Sequence, residues 1–412
     1  MAAVANKEKD IVIIGGGIIG CSSAYYLTRH PAYDSSLHKI TILEATGIAS
    51  AASGKAGGLL ALWAYPSNIV PLSYRLHAEL AKEHDGANRW GYRRVHCGQL
   101  GAKGRKIHVL ESSSESTKGS ISLQKRDKDA IGKLRAAGIP KDLDWVAAES
   151  ALYYQEMGDP DTTAQVHPYQ FTNSMAELAK ERGVEIIIGS VTKIDQEYGL
   201  VKSVTYTDKE TSAPKTIPAT DVILAAGPWT RSVFPPAPIS ALRAHSVTIR
   251  PSRPVSAYAI FTEIKLPPGF NHTGYSSNSA VEVSPEIYAR PNNEVYACGE
   301  GDGNVPLPKS SDLVKMEESR CQDIVDYVGS ISDELRDGEV TSRQACYLPN
   351  VSSGRGGPLI GQTGVNGLLM ATGHTCWGIQ NAPGTGKLIS EFVFEGKAKS
   401  ASIGSLDPRN YL

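Results

Sequence analysis

The feature that most constrains this chain is a glycine pattern set between two short apolar runs near its amino terminus. Residues 11–14, Ile-Val-Ile-Ile, have the composition of a strand buried on both faces of a parallel sheet. Gly15, Gly17 and Gly20 follow and spell G-x-G-x-x-G. Residues 18–29 read as a helix carrying Ala24, Tyr25, Tyr26 and Leu27, and a second apolar strand over 39–43 ends at Glu44. Strand, glycines, helix, strand, acid is the order of a dinucleotide-binding βαβ unit. Gly15 permits the tight turn, Gly17 lets backbone approach a pyrophosphate, and Gly20 lets the helix pack on the strand. The free N–H groups at the helix start, Ile18 and Ile19 among them, lie at the positive end of the helix dipole and favour phosphate. Glu44 can accept from ribose hydroxyls and would repel a 2′-phosphate. It lies 24 positions after Gly20, beyond the usual spacing of about 20, because a polar insertion over 31–38 separates helix from strand.

The stretch after Glu44 and Ala45 separates one dinucleotide from another. Residues 48–58 read I-A-S-A-A-S-G-K-A-G-G, with almost no bulky side chain. Such a run lets backbone lie against a flat ligand, and its N–H groups can bond a pyrophosphate or a flavin edge. Ser53, Gly54, Lys55, Ala56, Gly57 and Gly58 are therefore candidates for a second cradle, which an NAD enzyme does not need. An apolar strand over 221–225 ends in Ala226 and Gly227, followed by Pro228 and Trp229, and reads as a later strand of the same sheet. Near the carboxy terminus, residues 368–372 form another such strand and lead into Gly373, His374, Thr375, Cys376, Trp377, Gly378 and Ile379. Pro383 sits where a helix should begin; Leu388, Ile389, Phe392 and Val393 form its apolar face, and Gly396 ends it.

With these motifs the chain resembles the D-amino-acid-oxidase-type superfamily of FAD-dependent oxidoreductases, which includes glycine and sarcosine oxidases. The resemblance rests on G-x-G-x-x-G with Glu44, on A-S-G-K-A-G-G, on L-A-A-G-P-W, and on P-L-I-G, A-T-G-H-T-C-W-G-I and P-G-T-G-K between 358 and 387. It covers both ends and the middle, and it is specific for the superfamily rather than for a substrate. A-S-G-K-A-G-G and Q-A-C-Y-L-P look like a eukaryotic branch whose members carry only the general name oxidoreductase.

The fold this implies is α/β: a discontinuous Rossmann-like FAD-binding domain over 1–70, 165–240 and 340–412, and an α+β substrate domain over 71–164 and 241–339 built on a mainly antiparallel sheet. Independently, 171–183 reads as a helix stopped by Gly183, 184–189 as a strand, and 201–207 as an alternating strand. Val191 stands where the family places backbone contacts to the adenine. In the substrate part, 281–283, 287–289 and 294–298 read as short strands, 311–328 as a helix, and the serine-rich 112–122 as an exposed loop.

Composition narrows the partners. Lys+Arg is 42 and Asp+Glu is 43, so no excess of positive charge marks a nucleic-acid or anionic-lipid surface. No apolar run approaches the ~20 residues that span a bilayer. Residues 1–10 lack the apolar core of a signal peptide and carry Glu8 and Asp10, which a mitochondrial leader avoids. The six cysteines are widely spaced with no C-x-x-C, which reads as reduced thiols in a cytoplasmic protein. Triplets at Asn271 and Asn350 match the glycosylation pattern by chance. Residues 384–387, Gly-Thr-Gly-Lys, fail as a P-loop at Asn381 and Leu388, and Gly299, Gly301 and Gly303 lead into prolines, not a helix. No metal site and no NAD(P)H domain is expected.

The chemistry centres on the carboxy-terminal glycine segment. A flavin that accepts a hydride gains negative charge on its pyrimidine edge, and a helix amino terminus would stabilise it. His374, Trp377 and Lys55 are the catalytic candidates. Cys346 stands roughly where some sarcosine-oxidase relatives attach FAD covalently; non-covalent binding is the expectation. Amino-acid-oxidising relatives often carry an arginine just before the proline of this region, as a bidentate clamp on the substrate carboxylate. Here Leu348 precedes Pro349, which leaves Arg343 or Arg355 to compensate and opens a secondary amine, a larger amine or an unusual acid as substrate. The resemblance implies oxidation of a C–N bond of an amine or amino-acid-like small molecule, with oxygen as acceptor. An FAD-binding regulator or scaffold with weak catalysis is the reading that the missing arginine motivates.

Overall fold

Two large sheets divide the chain in a computed structural model that describes residues 7–106, 128–270, 281–352 and 356–412. The serine-rich stretch 112–122, Asn271 and Arg355 lie outside the described residues. The first sheet has eight strands, in the order Pro214–Pro218, Leu200–Asp208, Glu185–Glu197, His38–Glu44, Lys9–Ile14, Asp221–Leu224, Leu368–Thr372, Leu359–Gln362. Its five central strands are parallel, and the outer strands pair antiparallel. Ile11, Ile13, Ile40 and Ile42 are buried in one core cluster and Val12, Ile14 and Leu43 in another, on the two faces of the sheet. The helix Ile18–Leu27 packs between the helices Pro168–Lys180 and Gly378–Glu395 on one face.

The second sheet is ordered Glu339–Val351, Ile239–Arg250, Glu294–Cys298, Glu286–Arg290, Tyr258–Leu266, His96–Lys103, Ala151–Gly158, with Val281–Val283 paired to Tyr258–Leu266. All its pairs are antiparallel except Tyr258–Leu266 with His96–Lys103. One face packs Val247, Ile260, Ile287 and Ala297 against the helix Glu318–Gly329. The other turns Cys97, Ala259, Tyr288 and Tyr296 toward Leu59 and Trp377. A small sheet of Leu59–Ala61, Thr163–Gln165 and Arg93–Arg94 lies beside that junction. This is the α/β architecture expected, with a mainly antiparallel second sheet.

Three elements depart from the sequence reading. The last helix begins at Gly378, five residues before Pro383, and carries the proline inside it. Pro383 has no N–H for the Ile379 carbonyl, and the buried His77 Nε2 meets that oxygen at 3.0 Å instead. The region 311–328 is a short 3-10 turn, Ser311–Leu313, followed by the helix from Glu318. Between them Glu317 is drawn out: its N–H donates to His245 Nε2 at 3.1 Å and its carboxylate pairs with the buried Arg243. The strand read as 184–189 runs from Glu185 to Glu197, because Gly189 does not end it but makes room for the Tyr206 ring.

Candidate cofactor cleft and the facing sheet

The glycine turn is built by close approach. Gly15 has φ 116°, and a Cβ there would lie 2.4 Å from the Ala225 carbonyl oxygen of the neighbouring strand. A Cβ on Gly20 would lie 2.0 Å from the Gly15 oxygen, so the helix can seat this deeply only with glycine. Gly17 caps the helix without a side-chain hydrogen bond. In its place Ser53 Oγ accepts from the Ile18 N–H at 2.9 Å, which ties the small-residue stretch to the helix start. Glu44 Oε2 accepts from the Gly16 N–H at 2.6 Å, and Oε1 from the Thr46 N–H at 2.9 Å.

These groups border a cleft of about 210 Å³ that runs along the carboxyl ends of the parallel strands. Of the residues singled out from sequence, Gly15, Gly17, Ile18, Ile19, Glu44, Ala45, Ser53, Ala56 and Val191 line it. Ala226, Gly227, Trp229, His374, Thr375, Gly378 and Ile379 line it from the other side. Gly20, Gly54, Lys55, Gly57, Gly58, Gly373 and Trp377 stand outside the lining. Several of them serve packing instead: a Cβ on Gly54 would strike the Ala49 oxygen, one on Gly57 the Tyr288 ring, and one on Gly58 the Val166 oxygen. Lys55 Nζ donates to the Ala345 carbonyl at 3.0 Å.

Sequence reasoning missed Gly189, Ser190, Lys309, Ser310 and Ser311, which also line the cleft. Gly189 and Ser190 adjoin Val191 and were within reach of the strand pattern. The loop 308–311 carries no such signal. It is brought in by Trp229 Nε1, which donates to the Pro308 carbonyl at 2.7 Å, and by Ser311 Oγ, 2.8 Å from Ser50 Oγ.

His374 is buried, its Nε2 is 3.0 Å from Thr385 Oγ1, and burial pushes its pKa down to about 3. Trp377 packs edge-on against Trp63 at 5.6 Å and Tyr65 at 5.8 Å. Its Nε1–H is buried and has no partner among the described residues. Cys346 is buried, and burial raises its thiol to about 11 against the opposing pull of Lys55. All six cysteines are free. Leu348 lines the cleft beside Pro349. Arg343 cannot serve as the missing clamp: it points to the helix side of its sheet, with Nε 2.9 Å from Glu318 and Nη2 donating to Gln322 at 2.8 Å. No group of histidine, cysteine and acidic residues fit to hold a metal ion occurs among the described residues, and no helix among them is long and apolar enough to cross a membrane.

The family model described as FAD dependent oxidoreductase matches residues 10–392, nearly the whole chain. The chain belongs to that family. It is 38% identical to "Putative oxidoreductase TDA3" of Saccharomyces cerevisiae, over 98% of this chain and 95% of the relative. It is 36% identical to "Putative oxidoreductase C1F5.03c" of Schizosaccharomyces pombe, over 99% of this chain and all of the relative. Among solved structures it resembles glycine oxidase from Bacillus cereus, with a TM-score of 0.68, 18% identity, and 95% and 96% of the two chains covered. It also resembles L-proline dehydrogenase from P. horikoshii, with a TM-score of 0.68, 15% identity and 98% of both chains covered. The likeness to these two is one of fold.

The residues present fit the family's cofactor. A helix start with no side chain at its Gly17 N-cap and Ser53 Oγ on its first N–H faces the cleft, a carboxylate stands at the end of the second strand, and the turn between them is built of glycines whose Cβ would strike neighbouring atoms.

Proposed function

We propose that this member of the family holds FAD non-covalently in the cleft and oxidises a C–N bond of an amine or amino-acid-like substrate, with oxygen as acceptor. One observation carries the reading: the turn at Gly15–Ile18, the Glu44 carboxylate and the segment 374–379 meet on a single cleft. In it the N–H groups at the start of the first helix would hold the pyrophosphate, with Ser53 Oγ as an adjoining hydroxyl donor. Glu44, held by Gly16 and Thr46, would accept from the ribose. The backbone near Val191 would border the adenine. When bound, FAD supplies the two-electron acceptor for a hydride.

The remaining candidates divide by geometry. His374 is a positioning residue: burial keeps its imidazole neutral through the physiological range, and its bond to Thr385 ties the turn to the last helix. Gly378 opens that helix, so its amino terminus points at the cleft. Lys55 lies beside Cys346 and ties the small-residue stretch to the second sheet through Ala345. The burial of Cys346, which disfavours its thiolate, supports non-covalent binding.

The test is direct. The purified protein should show the flavin absorption spectrum and release FAD on acid denaturation. A panel of amines and amino acids should bleach it anaerobically and yield peroxide in air. A colourless protein that does not take up FAD defeats the reading. A yellow protein that no amine or amino acid reduces would instead favour the regulator, for which the absent arginine clamp is the argument.

A further inference from the structure

Facing the cradle, the second sheet presents a row of side chains set by strand register. Gln344, Ser246, Cys298, Glu286, Phe261 and Gln99 are consecutive cross-strand neighbours. They share the face of Tyr288 and Tyr296, whose cluster packs against Leu59 and Trp377. Glu286 is the one ionisable carboxylate of that row. It accepts from the Tyr288 hydroxyl and from Cys298 Sγ at 3.8 Å, both neutral donors. Among the described residues no lysine, arginine or histidine pairs with it. Burial accordingly raises its pKa, and its charge reaches the thiol of Cys376, which lines the cofactor cleft.

Its surroundings are aromatic. Phe261 stands directly opposite Glu286 across the strand pair. The Phe261 ring is 6.2 Å from Tyr288 and 6.1 Å from Trp63, and Trp63 continues to Trp377 and Tyr65. Trp63 and Tyr65 are 37% and 53% exposed, so this aromatic run opens to solvent at one end and ends at Glu286 at the other. The positive groups nearby are already committed. Arg290, four residues along the same strand, donates to the Ala56 and Gly57 carbonyls and to Glu294 at 2.9 Å. Lys55 donates to Ala345. The next acid on the same face, Glu263, is bonded to Gln99 at 2.6 Å and to the Tyr153 hydroxyl at 2.5 Å.

A partly buried carboxylate without a counter-ion, set among aromatic side chains, is the complement of an organic cation and repels an anion. We infer that Glu286, with Phe261, Tyr288 and Trp63, forms the substrate-side site and selects an alkylammonium group, so the preferred substrate is a cationic amine that needs no carboxylate. The inference rests on the amine-oxidising reading and names its substrate class. In this arrangement Glu286 orients the nitrogen by ion pairing and the rings exclude water from it. The carboxylate clamp of amino-acid-oxidising relatives is replaced by a group of opposite sign.

The test uses binding, so it does not depend on turnover. Purified holoprotein is titrated with tetramethylammonium chloride, a cation that cannot be oxidised at nitrogen, and separately with sodium acetate at matched ionic strength. Calorimetry and tryptophan fluorescence are the readouts. The cation should bind saturably and acetate should not. E286Q should weaken tetramethylammonium about thirty-fold or more while FAD absorbance is unchanged. F261L should weaken it about two- to five-fold, and it keeps the test open if E286Q does not fold. Saturable acetate binding without cation binding, or unchanged cation affinity in either variant, overturns the inference. A protein that binds the cation yet never takes up FAD sinks the cofactor reading and leaves this site standing.

Discussion

The cofactor cleft and the sheet face opposite it are built on different terms. The cleft is made of backbone. Its walls come together because Gly15, Gly20 and Gly58 let main chain approach main chain at distances that no side chain permits. The facing surface is made of side chains: Glu286, Phe261, Tyr288 and Cys298 meet because three strands are in register. Backbone-built sites tolerate almost no substitution, since the neighbour that must move is itself a hydrogen-bonded strand or helix. Side-chain-built sites tolerate exchange and change their ligand instead.

That contrast can be broken most forcefully at Gly20. Gly20→Ala places a methyl 2.0 Å from the Gly15 oxygen, and we expect a loss of about 4 kcal/mol or more in urea unfolding, with no FAD uptake. Gly378→Ala is the control, because the nearest atom to its Cβ is 3.7 Å away and stability should hold within about 0.5 kcal/mol. If both behave alike, close backbone approach is not what builds the cleft.

On the second sheet the strongest effect should come from the helix side, not from the ligand-facing row. Arg243 is 2% exposed and pairs with Asp302 and Glu317. Arg243→Met leaves the partly buried Asp302 without its partner and should cost about 3 kcal/mol in the same assay.

A smaller and pH-dependent effect sharpens the comparison at the last helix. Burial lowers the His77 pKa to about 4, so the folded protein binds its proton less readily than the unfolded chain does. Its contribution is complete above about pH 6.5 and is lost as the pH falls toward 4. His77→Leu removes the donor to the Ile379 carbonyl. It should cost about 1–3 kcal/mol at neutral pH, and thermal melts should show a shallower decline between pH 6.5 and 4 than the wild type. An unchanged acid slope would mean that His77 is not held neutral.

A smaller effect than that at His77 is expected within the ligand-facing row. Phe261→Leu keeps an apolar side chain of similar bulk on a partly exposed face, and unfolding should shift by less than about 1.5 kcal/mol. A large loss would show that this surface, too, is needed for folding.

The legibility of the molecule follows the same division. G-x-G-x-x-G, the strand before it and Glu44 are local in sequence, and their chemistry acts within one βαβ unit, so the dinucleotide-binding unit could be read from them. The small-residue stretch 48–58 was legible as a cradle, but not which of its members face inward. Ser53 and Ala56 line the cleft, while Gly57 makes way for the Tyr288 ring from the other sheet. The end of the strand at 189 and the start of the last helix at 383 were misread for one reason. Gly189 and Pro383 look like local breaks, but Tyr206 fills the space at one and His77 satisfies the freed carbonyl at the other.

The sequence by itself determined the parallel sheet, the glycine turn and the nucleotide class. Each depends on residues a few positions apart, and on constraints that a missing Cβ or a β-branched run imposes wherever it occurs. Only the tertiary structure decided that Arg343 turns away from the site, that the loop at 308–311 closes one side of the cleft, and that Glu286 faces the cradle among aromatic rings without a counter-ion. These depend on strand register and sheet order between segments far apart in the chain, and a shift of one residue would send each side chain to the opposite face.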